Sequence, residues 1–206
     1  MKSPSPTEFV HAFVPGYSAR TLLMLHGTGG TENDLVSLGR ALDPDAAILS
    51  PRGRVLENGM PRFFRRLAEG IFDEVDLIRR THELADFLAA AASRYGFDSR
   101  QLVAVGYSNG ANIAGSLLLL RPESLAGAAL LRPMVPLVPA EKPDLSGKRV
   151  LIAAGQHDPI ASPEETRALL ALLQTCRADV TAFSDAAGHG LTGETVTATR
   201  DWLAKR

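Results

Sequence analysis

The chain contains 206 residues, of which 45% are hydrophobic and 22% are charged. These proportions are typical of a globular protein, and the length suits one domain with a sizeable core. The formal net charge of −1 gives no electrostatic reason to expect nucleic acid or an anionic membrane as a partner. The single cysteine, Cys176, excludes an internal disulfide.

The amino-terminal segment, residues 1–8, lacks the apolar core of a signal peptide. The sequence has no run of about 18 apolar residues that would indicate a transmembrane helix. We therefore expect a short disordered lead at 1–8, a single domain at 9–206 and a cytoplasmic protein.

Short apolar runs predict strands, and the segments between them have the three-to-four-residue apolar spacing of helices. The predicted strands are 9–14 (at a sheet edge), 21–26, 46–50, 102–107, 125–131, 149–154 and 180–184. The predicted helices are 33–42, 74–95, 109–120, 163–175 and 192–205. This alternation predicts an α/β fold with a mostly parallel central sheet and helices on both faces. The loops that follow the strands then lie along one edge of the sheet.

The loop after strand 21–26 reads HGTGG over residues 26–30. Small residues let its backbone N–H groups approach a ligand closely. A phosphate-binding loop fits poorly, because neither G-x-G-x-x-G nor G-x-x-x-x-G-K-[ST] occurs in the chain. A plain glycine-rich turn remains an alternative interpretation. In an acyl-transfer hydrolase, this loop supplies one oxyanion-hole donor, for which Thr28 is the best candidate.

The pentapeptide GYSNG, residues 106–110, lies between a predicted strand and a predicted helix. That context is typical of a nucleophile elbow, in which Ser108 is exposed at the carboxyl end of a buried strand. The backbone N–H of the next residue, Asn109, is then the second oxyanion-hole donor. The motif is short enough to arise by chance, and an ordinary strand-to-helix turn is the alternative.

A serine nucleophile needs a base and an orienting acid. His189 follows Ser108 in the sequence and lies between two glycines after the last predicted strand, so we predict that it is the base. Asp158 lies just beyond strand 149–154 and is the favoured acid, with Asp185 as its competitor.

The remaining histidines do not indicate a metal site. His26 is expected to be structural and to bond the loop backbone, whereas His11 and His82 are expected at the surface. No H-x-H or H-x-x-x-H pair occurs, and Cys176 has no partner cysteine. We therefore expect no metal and no cofactor.

With these motifs in place, the chain resembles the α/β-hydrolase superfamily, within it the phospholipase/carboxylesterase group close to the dienelactone-hydrolase-like branch. The resemblance covers about residues 9–203 and depends on four motifs: LHGTGG at 25–30, GYSNG at 106–110, GQHDPI at 155–160 and AGHG at 187–190. It implies an α/β-hydrolase fold without a large lid domain. It also implies Ser108 as nucleophile, His189 as base, Asp158 as acid, and the Thr28 and Asn109 amides as oxyanion hole. Dienelactone hydrolases carry cysteine as the nucleophile, so the serine here favours carboxylic esters. Related carboxylesterases often form homodimers, which makes a homodimer possible here.

Two segments after strands are candidates for the acyl pocket. One follows strand 46–50 and mixes arginines with aromatic residues; the other follows strand 125–131. The predicted substrate-binding residues are Arg52, Met60, Phe63, Phe64, Arg65 and Met134. Their composition suits an aromatic or anionic acyl group, and a solvated arginine cluster is the alternative.

The function predicted from the sequence is a carboxylesterase that cleaves small soluble esters through an acyl-enzyme. A thioesterase or a lysophospholipase is the alternative within enzymes. A non-catalytic ligand-binding module of the same fold is the alternative from another class.

Overall fold

The structure is a computed structural model, and it describes residues 8 to 205. The predicted lead at 1–8 therefore lies almost entirely outside the described residues. The described chain forms eleven strands: β1 (His11–Val14), β2 (Thr21–Leu25), β3 (Ala47–Pro51), β4 (Val55–Glu57), β5 (Met60–Arg62), β6 (Arg66–Ala68), β7 (Ile71–Phe72), β8 (Leu102–Tyr107), β9 (Gly127–Leu131), β10 (Arg149–Gly155) and β11 (Asp179–Asp185). It forms five α-helices: α1 (Val36–Leu42), α2 (Glu74–Tyr95), α3 (Asn109–Leu120), α4 (Pro163–Thr175) and α5 (Gly193–Ala204).

Seven strands build the central sheet in the order β1-β3-β2-β8-β9-β10-β11. Strand β1 is antiparallel to β3, and every other neighbouring pair is parallel. The predicted α/β architecture, including an edge strand at the start, is confirmed. Within residues 8 to 205, no helix is long and apolar enough to cross a membrane.

Alternate side chains of each central strand enter two different apolar cores. In β2, Leu23 and Leu25 belong to the core that also contains buried residues of α2, α3 and α4. Leu22 and Met24 belong to the core that contains residues of α1 and α5. Since successive strand residues point to opposite faces, helices cover both faces of the sheet. This double burial is why the strands read as continuous apolar runs rather than alternating ones.

Local capping explains where the helices begin. The side chain of Ser162 accepts a hydrogen bond from the Glu165 N–H, and Pro163 occupies the first position of α4. Helix α1 begins three residues later than predicted, because the Asp34 carboxylate accepts from the backbone N–H and hydroxyl of Thr31 in a preceding turn. Cys176 is buried just after α4.

Residues 52–73 at the carboxyl edge of the sheet form two hairpins, β4–β5 and β6–β7, rather than a helical lid. The first hairpin turns at Asn58 and Gly59, whose φ angles are +51° and +82°. An Asn-Gly pair is the preferred sequence for such a two-residue turn, because both central positions need positive φ. These hairpins lie in the segment that the sequence analysis treated as a pocket wall.

Candidate active site

Ser108 lies at a sharp turn between β8 and α3, with φ of +53° and ψ of −115°. A non-glycine residue rarely adopts this backbone conformation, which is typical of functional sites. The flanking glycines are needed for space: a Cβ atom at Gly106 would lie 2.3 Å from the Gly110 carbonyl oxygen, and one at Gly110 would lie 2.0 Å from the Leu25 carbonyl oxygen. The packing of the sheet thus explains both glycines of the pentapeptide.

The structure brings Ser108, His189 and Asp158 into one hydrogen-bonded row. The Nε2 atom of His189 lies 2.8 Å from Ser108 Oγ, and its Nδ1 atom lies 2.8 Å from Asp158 Oδ2. Asp158 is buried, and its Oδ1 atom accepts from the backbone N–H groups of Ile160 at 2.8 Å and Ala161 at 3.0 Å. These contacts fix the carboxylate so that its other oxygen faces the imidazole.

Asp185, the competing acid, lies in a separate buried network. Its carboxylate pairs with the Arg132 guanidinium at 2.8 and 2.9 Å and accepts from the Thr192 and Thr195 hydroxyls, each at 2.6 Å. Burial alone would raise the pKa of Asp185, but these donors outweigh it and hold the pKa far below its usual range. Asp185 is therefore ionised and fully engaged away from the His189 ring.

The backbone on both sides of His189 is held by side chains from neighbouring strands. Arg132 donates from Nε to the Gly188 carbonyl at 3.1 Å and from Nη2 to the Gly190 carbonyl at 3.0 Å. The Tyr107 hydroxyl donates to the carbonyl of His189 itself at 3.1 Å. Three successive carbonyls are thus fixed, although glycines flank the histidine. The sequence analysis missed this role, because an arginine after a strand carries no signal that it is buried.

Thr28 and Asn109 lie beside Ser108 in the same cavity. Neither backbone N–H donates to another residue among those described, so both remain available to an oxyanion. The first hairpin fixes both residues: Arg62 Nη1 donates to the Thr28 hydroxyl at 2.5 Å, and the Phe63 N–H donates to Asn109 Oδ1 at 2.7 Å. Both predicted donors therefore lie in the cavity with Ser108, and hydrogen bonds from residues 62 and 63 hold their side chains.

His26 forms a hydrogen bond with the backbone of the loop that contains Thr28, as predicted. Its Nε2 atom accepts from the Gly53 N–H at 2.9 Å, so Nδ1 carries the proton and donates to the Gly27 carbonyl at 2.6 Å. Burial lowers the pKa of His26 from its usual value, against smaller contributions that raise it. The neutral ring is the form that both hydrogen bonds require. The expectation of a surface His11 was wrong, since the ring is half-buried and bonds the Tyr95 hydroxyl at 2.7 Å.

The cavity at Ser108 has a volume of about 200 Å³, and Met134 is the one predicted pocket residue that lines it. Lining residues that the sequence analysis missed are Arg62, Arg66, Gly70, Phe72, Tyr107, Asn112, Arg132 and Ile160. A larger, open depression of about 910 Å³ lies between β11 and α5, away from the serine–histidine pair.

The other five predicted pocket residues lie outside the cavity. Phe63 and Phe64 were wrongly placed there: both rings are buried in the apolar core, where they are shielded from water. Arg52 pairs with Glu32 at 2.5 Å and Arg65 pairs with Asp73 at 2.5 Å, so each is held by an acid outside the cavity. Met60 is exposed beside Gly29.

Among residues 8 to 205, no group of three or more His, Cys, Asp or Glu side chains is arranged to hold a metal ion. The expectation that the reaction needs no metal or cofactor stays a prediction. The arrangement that is present suits acyl transfer: a serine is hydrogen-bonded to a half-buried histidine, which pairs with a buried aspartate, beside two free amides.

Known proteins resemble this chain over nearly its whole length. The protein named "Putative hydrolase MhqD" of Bacillus subtilis (strain 168) is 50% identical over 192 residues, covering 93% of this chain and 96% of that protein. The crystal structure of a Bacillus cereus carboxylesterase is 52% identical with a TM-score of 0.94, covering 96% and 94% of the two chains. A carboxylesterase structure from Mesorhizobium loti is 36% identical with a TM-score of 0.87, covering 93% and 91%. No family model matches the chain.

Proposed function

The chain belongs to the phospholipase/carboxylesterase group of the α/β-hydrolases, and on that premise we propose that it hydrolyses small carboxylic esters with Ser108 as nucleophile. The observation that supports this most strongly is the unbroken row from Ser108 Oγ through the His189 ring to Asp158. The relatives support an ester hydrolase, and the geometry supports these three residues as its catalytic groups.

The first half of the reaction forms an acyl-enzyme. With Nδ1–H donated to Asp158, Nε2 of His189 is free to take the Ser108 proton as Oγ attacks the ester carbonyl carbon. The carbonyl oxygen becomes an oxyanion that accepts from the Thr28 and Asn109 N–H groups, at the amino terminus of α3. When the C–O bond breaks, the His189 imidazolium gives its proton to the leaving alcohol.

The second half releases the acid. Water attacks the acyl carbon while His189 takes one of its protons, and the same two amides hold the second oxyanion. Collapse of this intermediate returns the proton from His189 to Ser108 Oγ and frees the carboxylic acid. Asp158 stays ionised throughout and keeps the ring in the tautomer that both halves need.

The cavity supports a small acyl group. Its volume of about 200 Å³ is below the range of about 300–1,000 Å³ for pockets that hold drug-sized ligands. This favours short esters over the long acyl chains of lysophospholipids. Parallel assays of a short aryl ester, its thioester and a lysophospholipid test this preference, and fastest turnover of the lysophospholipid would contradict it.

The decisive variant is Ser108→Ala, with Ser93→Ala on the exposed surface of α2 as its control. We expect Ser108→Ala to lower the turnover of a short 4-nitrophenyl ester by roughly 10⁴- to 10⁶-fold and to abolish fluorophosphonate labelling. The control should keep both. Unchanged turnover or labelling in Ser108→Ala would show that another residue is the nucleophile.

A further inference from the structure

Two arginines from the hairpins line the cavity around Ser108. Arg62 lies at the end of β5 and is only 3% exposed, and Arg66 lies at the start of β6. The guanidinium of Arg62 lies over the Phe64 ring, 5.8 Å from its centroid, and its Nε donates to the Phe64 carbonyl at 3.2 Å. Arg62 is therefore held in place as a cation at one wall of the cavity.

The carboxylate of Glu57 lies close to both arginines. Arg66 binds it with Nε at 2.9 Å and Nη2 at 2.7 Å, whereas Arg62 Nε stays 3.4 Å from it. The hydrogen bond from Arg66 lowers the pKa of Glu57, which is thus ionised. This wall of the cavity carries two positive charges and one negative charge.

The other charges near the cavity do not neutralise this excess. Arg132 is paired with Asp185. The carboxylate of Asp158 lies behind the His189 ring, does not line the cavity, and is engaged by the ring and two backbone N–H groups. Burial lowers the pKa of Arg62, and repulsion by Arg66 lowers it further, against partial support from Glu57. A guanidinium still keeps its charge under these conditions.

Arg62 also retains a donor for a ligand. Its Nη1 donates to Thr28 and its Nε to Phe64, whereas Nη2 donates to no described residue and is not among the fully buried unpartnered atoms. A partly accessible, unpaired N–H beside an excess positive charge suits a carboxylate, which a guanidinium binds by charge-assisted hydrogen bonds.

We propose that Arg62 and Arg66 form a subsite for a carboxylate on the acyl part of the substrate, so that the preferred esters are half-esters of short dicarboxylic acids. The acyl part is the one that stays attached to Ser108 inside the cavity after the alcohol leaves. The small volume of the cavity limits the chain between the two carbonyl groups of the substrate to a few carbons. The inference rests on the proposed function, because it assigns a substrate class to the same site.

The test compares two esters of equal shape. Monoethyl glutarate carries the carboxylate, and the corresponding ethyl ester with a terminal primary amide replaces it with a neutral group. We expect the wild-type enzyme to show a kcat/KM about 10- to 100-fold higher for the anionic ester, the range for a hydrogen bond between charged groups. Hydrolysis of both esters at equal efficiency would overturn the subsite and leave the proposed function intact.

Charge variants give effects of opposite sign. Arg66→Gln should lower the preference for the anionic ester, and Glu57→Gln should raise it. Arg65→Gln, whose side chain is 62% exposed and paired with Asp73 outside the cavity, is the matched control and should leave the ratio unchanged. A ratio that moves equally in Arg65→Gln and Arg66→Gln would show a general surface effect and contradict the proposal.

Binding of the products tests the subsite without turnover. Calorimetry on the Ser108→Ala variant should show glutarate binding at least 10-fold more tightly than its monoamide, with the difference reduced by Arg66→Gln. Equal affinities would overturn the subsite even if neither ester is hydrolysed. Absence of turnover with any ester, by contrast, would overturn the proposed function.

Discussion

Replacement of Arg132 by lysine tests whether Arg132 positions His189, because lysine keeps the charge that pairs with Asp185. Arg132 is 1% exposed and pairs with Asp185 while its Nε and Nη2 donate to the carbonyls on both sides of His189. Lysine keeps a positive charge for Asp185 but lacks the planar fork that reaches separate acceptors. Arg132→Met would leave a buried carboxylate unpaired, at a cost of about 3–5 kcal/mol, so lysine is the more informative change.

The expected magnitudes follow from the bonds that are lost. The Arg132 side chain also donates to the Ala153 carbonyl, but that carbonyl keeps the Arg132 backbone N–H as a donor. The carbonyls of Gly188 and Gly190 lose a donor, at about 0.5–1.5 kcal/mol each, so the free energy of unfolding should fall by about 1–3 kcal/mol. For a chain of this length, each kcal/mol lowers the melting temperature by about 2–4 °C. A displacement of the catalytic ring by about 1 Å lowers kcat by about 10²-fold, and KM should change little because Arg132 is neutralised by Asp185.

Urea unfolding and steady-state kinetics on a short neutral ester measure the two effects. The control is Arg149→Lys, because Arg149 also donates to backbone carbonyls, those of Trp202 and Lys205, far from Ser108. The control should lose stability but keep kcat. If Arg132→Lys keeps a wild-type kcat while folded, or loses only the share of activity that its unfolded fraction explains, the positioning role is refuted.

Three further predictions concern other parts of the site. Asp158→Asn should lower kcat by about 10⁴-fold, since the wrong histidine tautomer is favoured, whereas Asp185→Asn should mainly lower the urea midpoint; the reverse order would make Asp185 the acid. Because the folded-state pKa of His26 is lowered, the unfolded chain binds more protons below about pH 6.5, and stability should fall as pH decreases from there, by at most about 1.4 kcal/mol per pH unit; a His26→Gln variant with the same pH slope in urea unfolding would contradict this. Gly110→Ala should yield little folded protein on expression, because its Cβ would lie 2.0 Å from the Leu25 carbonyl oxygen; a wild-type melting temperature would show that the strand can move aside.

The sheet was predictable because its strands are buried on both faces. Continuous apolar runs such as Thr21–Leu25 require cover on two sides, and right-handed parallel connections then place the ends of β8 and β10 at one edge. Ser108, Asp158 and His189 all come after strands, so the sequence predicts that they lie together at this edge of the sheet. The sequence favoured Asp158 over Asp185 as the acid; the coordinates add that Asp185 pairs with Arg132, whereas Asp158 contacts the His189 ring.

The walls of the cavity were not predictable from composition. Residues 62–66 read RFFRR, and nothing in this order shows which side chains face the core; the structure buries Phe64 and places Arg62 at the cavity. The Asn58-Gly59 pair was a usable hairpin signal. The strand of that hairpin ends at Arg62, so the signal does not extend to residues 63–65, where the Phe64 ring meets the Phe72 ring edge-on at 5.1 Å.

Substitutions in the hairpins should have different effects from substitutions at the strand ends. Ser108, His189 and Asp158 lie at the ends of sheet strands, whereas Arg62 and the Phe63 N–H hold Thr28 and Asn109. Because Arg62 both orients Thr28 and supplies the proposed carboxylate subsite, a change at residue 62 alters the rate for every ester along with the choice among them. Glu57 and Arg66 do not contact Thr28 or Asn109 among the described hydrogen bonds. Changes at these two positions should alter the preference between anionic and neutral esters more strongly than the rate for neutral esters.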